Sequence, residues 1–138
     1  MRQIKFRGFD AIGNKGWVYG DLVHNQCVTV TGLRPRVMVG GYEVIPETVG
    51  QLTGLRDING KEIYEGDVLH FDDHNYRMVW LDNTGEFAAL KIEHSMLNPP
   101  VNYCVVSFWC KKDLKIIGNI YDNPELISKD TYIPMKED

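Results

Sequence analysis

The feature that most constrains this chain is the stretch Leu52–Leu69, where Asp57-Ile58-Asn59-Gly60 separates two apolar flanks. Asp favours the start of a tight turn, and Gly takes the left-handed conformation that ends one. Leu52–Leu55 and Ile63–Tyr64 can then pair across the turn as a hairpin. Gly66-Asp67 bends the chain again into Val68-Leu69-His70-Phe71. A chain that reverses twice within twenty residues builds antiparallel sheet here, not helix.

The same punctuation recurs along the whole length. Ile4–Arg7 alternates apolar and polar residues, the period of a half-buried strand. Asp10–Gly16 is turn chemistry, and Trp17–Val23 reads as the returning strand. Cys27–Thr31, Arg36–Val39 and Tyr42–Ile45 are further short strands, each closed by Gly or Pro. Tyr76–Leu81, Glu86–Ile92, Tyr103–Trp109 and Lys115–Tyr121 complete the set. Glu86–Met96 is the one window with helical spacing, through Phe87, Leu90 and His94, and a strand is the preferred reading. Asn123 and Pro124 have the N-cap and first-position chemistry of a short helix.

The expected fold is therefore mostly β: small antiparallel sheets with one or two short helices. The C-terminal half, with five strands after a Gly-Asp bend, has the pattern of a barrel-like, SH3-like unit packed on an N-terminal β subdomain. With 138 residues the chain suits one domain, with subdomains over 1–48 and 49–128 and a polar tail over 129–138. Tyr19-Gly20-Asp21-Leu22 weakly echoes Tyr64-Glu65-Gly66-Asp67-Val68, although Gly-Asp before a strand is common turn chemistry.

Charge and cysteine content narrow the function. Fifteen basic against nineteen acidic residues give a net charge of −4, which disfavours non-specific binding to nucleic acid. The three cysteines, Cys27, Cys104 and Cys110, form neither a disulfide framework nor a Cys-x-x-Cys pair. No apolar run approaches the ~20 residues of a membrane span. The start Met1–Arg7 has no signal-peptide core, so the cytoplasm is the simplest compartment and no membrane contact is expected.

No catalytic constellation and no cofactor motif is legible. His70, Asp72 and His74 would share a face if they lay on one strand and could then hold zinc, but Asp72–Asn75 reads better as a loop. Cys104 and Cys110 sit in an apolar stretch, as buried structural cysteines do, and Cys27 reads likewise. Asp57, Glu62, Glu65 and Asp67 are explained by turns and solvated surface. Seven Tyr, five Phe and three Trp are the positive clue to binding. Exposed rings beside arginines could stack single-stranded bases, with Arg34, Arg36, Tyr64, Tyr76, Arg77 and Trp109 as the candidate surface. For any one ring, a place in the core is the commoner fate.

Taken in order, several segments resemble the YopX family, proteins found largely in bacteriophages and prophages. They are Ile4–Asp10, Trp17–Leu22, Val44–Gln51, Thr53–Leu69 and Ile116–Leu126, while Phe71–Val101 matches less well. The resemblance implies a mostly β fold, a phage or prophage setting in the bacterial cytoplasm, and self-association. It supplies no catalytic or ligand residues. The leading expectation is a non-enzymatic accessory protein that binds its own copies or an unknown phage or host protein. A single-stranded nucleic-acid-binding small barrel is the alternative. A metal-dependent hydrolase is a distant third.

Overall fold

The computed structural model describes residues 2–71, 73–92, 103–105 and 113–127, the segment 103–105 by its backbone. These residues form twelve strands and two 3-10 turns, Pro46–Thr48 and Pro124–Leu126. The protein is mostly β, in several small antiparallel sheets. Contacts divide it into two compact units, Met1–Gly54 and Leu55–Asp138.

In the first unit β1 (Phe6–Phe9) pairs antiparallel with β2 (Trp17–Gly20) and with the start of β6 (Gly50–Arg56). Asp10 makes the reversal between β1 and β2. Its carboxylate accepts the amides of Ile12 and Lys15, and its own amide donates to the Gly16 carbonyl. A second sheet runs in the order β3 (Leu22–Thr29), β4 (Gly32–Val39), β5 (Tyr42–Glu43). Val18, Val39 and Val44 form the core, with Phe6, Leu22, Val37 and Val49 packed against them. The Thr48 hydroxyl fixes the turn at Pro46, donating to the Ile45 carbonyl at 2.6 Å and accepting the Phe9 amide at 2.9 Å.

Several boundaries differ from the sequence reading. The strands expected over Cys27–Thr31 and Arg36–Val39 run over Leu22–Thr29 and Gly32–Val39, and those expected over Tyr42–Ile45 and Lys115–Tyr121 end at Glu43 and Asn119. The predicted strand Trp17–Val23 is broken at Gly20-Asp21, and Val23 belongs to β3. The cause is a close crossing: a Cβ on Gly20 would lie 2.8 Å from the Gly40 Cα, and one on Gly40 would strike the Tyr19 carbonyl oxygen. The bend frees Leu22 to start a new strand. His24, Asn25 and Gln26, which look like turn formers, are then carried in register opposite Val37, Arg36 and Pro35.

The second unit holds β7 (Glu62–Tyr64) and a five-stranded antiparallel sheet. The sheet is ordered β11 (Tyr103–Val105), β10 (Glu86–Ile92), β9 (His74–Leu81), β8 (Asp67–Phe71), β12 (Lys115–Asn119) and curls into a half-barrel. Residues directly opposite in an antiparallel pair share a face. The registers Leu69–Tyr76 and Met78–Ala89 therefore line one side, where Ile63 and Leu114 complete the core. Glu86–Ile92 is a strand, as preferred from the sequence.

The Asp57 turn closes this unit. Asp57 Oδ1 accepts the amides of Asn59 (2.9 Å) and Lys61 (2.8 Å), and Oδ2 accepts the amide of Ile116 (3.2 Å), 59 residues away. Ile58 also donates its amide to the Leu114 carbonyl. Asn119 plays the same part after β12. Its Oδ1 accepts the amides of Tyr121 and Asp122, and its amide donates to Asn123 Oδ1. Asn123 stands at the N-cap of the final 3-10 turn, but its side chain is spent on Asn119 instead of on the cap.

Candidate interaction surface

The β3–β4 hairpin gives its base to the core and leaves the side chains of its tip exposed. Its register runs from Leu22–Val39 to Thr29–Gly32 across the two-residue turn Val30-Thr31. Leu22, His24, Gln26 and Val28 share one face with Val39, Val37, Pro35 and Leu33. At the base of that face Val39 is fully buried. At the tip Val28 is 84% and Leu33 65% exposed, and Val30 in the turn is fully exposed. An apolar row thus leaves the core and runs out into solvent, where a hairpin would normally carry polar side chains.

Midway along the hairpin lies an open groove lined by His24, Asn25, Gln26, Pro35, Arg36, Val37 and Pro46. The face opposite the apolar row is mixed, with Val23, Cys27 and Met38 beside its polar groups. Arg34 grips Glu43 with two hydrogen bonds, of 2.9 and 3.1 Å, and Arg36 donates through Nε to Asn25 Oδ1 at 2.8 Å. The paired hydrogen bonds raise the Arg34 pKa and lower that of Glu43. Both side chains are well exposed or half-exposed, so the pair fixes geometry more than it adds stability.

The residues expected to form a binding surface are divided between the two units. Arg34 and Arg36 lie on β4 in the first unit and are engaged with Glu43 and Asn25. Tyr64 is only 3% and Tyr76 only 9% exposed, so neither ring offers a face to a base. The Tyr76 ring belongs to the second unit's core because the Leu69–Tyr76 pair faces inward. Arg77 is half-buried on β9 between Val68 and Leu90. Trp109 lies outside the described residues.

The metal reading also loses its geometry. β8 and β9 form a tight hairpin with His70 opposite Asn75 and Phe71 opposite His74. Facing residues share a side, so His70 and His74 point to opposite faces of the sheet. His70 Nδ1 is bonded to Asn75 Oδ1 at 2.8 Å. Among the described residues no group of three His, Cys, Asp or Glu side chains is placed to hold a metal. Asp72 and Cys110 lie outside the described residues, as does the side chain of Cys104. Cys27 is half-buried on β3 opposite Arg34.

The acidic residues of the central run serve the backbone. Asp67, 2% exposed, accepts the Tyr64 amide at 2.8 Å, and Glu62 lies 3.6 Å from Arg56. Sequence reasoning missed the hairpin because Leu22–Thr29 has apolar residues at both ends and on both faces, with a polar middle. Period-two alternation, the usual signal of a strand, is absent there.

Architecture and surface together define an antiparallel β protein with one hairpin exposed well beyond its own core. No curated protein matches the chain significantly. The family model described as YopX protein matches residues 5–128, and the chain belongs to the YopX family. Among solved structures it is similar to the crystal structure of protein EF1440 from Enterococcus faecalis, at 22% identity and a TM-score of 0.53. That match covers 93% of this chain and all of the other, and it bears on the fold alone. Among the described residues no helix is long and apolar enough to cross a membrane.

Proposed function

We propose that this protein is a non-enzymatic phage or prophage accessory protein of the bacterial cytoplasm that acts through protein contacts. The β3–β4 hairpin is its contact surface, and the second unit, an SH3-like half-barrel, is support. The observation that carries this reading is the exposed apolar row Val28–Leu33 on an element the first unit's core leaves uncovered. The family segments support it too. Their Asp and Asn side chains at positions 10, 57, 67 and 119 are hydrogen-bonded to backbone amides, which leaves them to hold turns.

Co-purification tests the reading. Tagged wild-type protein and the double variant Val28→Lys, Leu33→Lys are recovered from bacteria carrying the phage or prophage. The expected result is a protein, either another chain or an untagged copy, that accompanies the wild type and is lost with the variant. Equal recovery with both, or no companion with either, overturns the reading.

A further inference from the structure

Among the described residues β3 is an open edge of its sheet. Thr29 and Gly32 flank a two-residue turn and so exchange both of their hydrogen bonds, which makes the odd-numbered residues of β3 the ones bonded to β4. The backbone N–H and C=O groups of Leu22, His24, Gln26 and Val28 therefore point away from β4. Among the described residues nothing pairs with those of His24, Gln26 and Val28.

The other edge of the hairpin is blunted. Pro35 removes a donor there, and the Val37 carbonyl is taken by the Val44 amide. β3 has none of these protections: its eight residues contain no Pro, Gly or Lys and no bulge.

The sequence of that edge is palindromic in polarity about Asn25. It reads Leu22, Val23, His24, Asn25, Gln26, Cys27, Val28: two apolar residues, three polar ones, two apolar ones. An isologous two-fold contact requires such self-complementarity, since residue i meets j while j meets i. Resting on the contact-protein reading above, we infer that the partner of this edge is a second copy of the chain, joined β3 to β3 antiparallel with Asn25 opposite Asn25.

In that register Leu22 faces Val28 of the other copy, Val23 faces Cys27, and His24 faces Gln26. The outward groups of Leu22, His24, Gln26 and Val28 meet one another and form about eight backbone hydrogen bonds. The row Val39–Leu22 of one copy is continued by Val28–Leu33 of the other, so the exposed tip joins an apolar row that begins in the partner's core. Centring the pair on His24 would instead set two imidazoles side by side. Centring it on Gln26 would set His24 against Val28.

Two variants test the inference. Gln26→Pro deletes an outward amide but leaves the β3–β4 bonds intact, since position 26 does not bond to β4. Light scattering behind size exclusion should give twice the 15.8 kDa of one chain, or an even multiple of it, for the wild type. The Gln26→Pro variant should give half the wild-type mass with an unchanged circular dichroism spectrum.

The second test is independent of that variant's folding. Facing residues at a non-bonded position have Cα atoms about 4.5 Å apart, within the ~4.4–6.8 Å a disulfide spans. Asn25→Cys, with the three native cysteines replaced by Ser, should therefore cross-link to a dimer under mild oxidation, and Val30→Cys in the same background should not. A wild type of 15.8 kDa at every concentration, or cross-linking at position 25 no greater than at position 30, overturns the β3 pairing. The contact-protein reading falls only if the Val28→Lys, Leu33→Lys pair also loses no companion.

Discussion

Replacing Asp57 with Ala should destabilise the second unit by about 2–4 kcal/mol. The side chain is 7% exposed and accepts three backbone amides. The Asn59 and Lys61 amides belong to exposed residues, so water can replace their acceptor at a combined cost of about 1 kcal/mol. The Ile116 amide is different. It lies where the β8–β12 register shifts between Ile116 and Gly118, and an unsatisfied donor there costs about 1–3 kcal/mol.

The prediction has a pH signature. Burial opposes ionisation of Asp57, but the amides of Lys61, Ile116 and Asn59 outweigh it and hold the carboxyl below its ordinary value. A depressed carboxyl pKa stabilises the fold above the unfolded value of about 3.9, and that stabilisation is lost as pH falls through the lower folded value. Urea unfolding followed by circular dichroism should therefore show a full gap between wild type and Asp57→Ala at neutral pH. The gap should narrow below about pH 4. A difference under 0.5 kcal/mol at pH 7, or a gap that widens in acid, would refute the assignment of Asp57 as the clamp between the turn and β12.

Three further substitutions probe the two units separately. Ile63→Ala empties a fully buried site in the second core and should cost about 2–5 kcal/mol in urea unfolding. Gly40→Ala, at φ +59 and against the Tyr19 carbonyl, should cost the first unit about 2–4 kcal/mol; native-state hydrogen exchange should report faster exchange over β2 to β5 with the second unit unchanged. Asn119→Ala strips the acceptor from the Tyr121 and Asp122 amides and the donor from the Asp122 carboxylate, and should lower the unfolding free energy by about 1–3 kcal/mol in the same urea assay.

Local chemistry made much of this architecture readable in the sequence. Asp10, Asp57 and Asn119 each satisfy amides within a few residues of themselves, so their turns are encoded where they occur. The strand pattern, and the absence of long helices among the described residues, follow from the same punctuation. The sequence did not reveal which side chains the fold would cover. Tyr64 and Tyr76 looked like a binding surface and are core, because exposure depends on which face of a sheet a distant strand packs against. The expected loop over Asp72–Asn75 proved shorter, because His74 and Asn75 already belong to β9 and pair with Phe71 and His70.

The division at Gly20-Asp21 belongs to tertiary structure for the same reason. Gly20-Asp21 has the chemistry of a bend, but the close approach of Gly40, twenty residues further on, is what holds the chain there. The open edge of β3 belongs there too. The polarity palindrome about Asn25 is written in the sequence, but a palindrome has no meaning until the fold leaves that strand unpaired on one side. Turn chemistry is local and survives in the one-dimensional record. Burial and edge exposure are set by long-range pairing, which it does not contain.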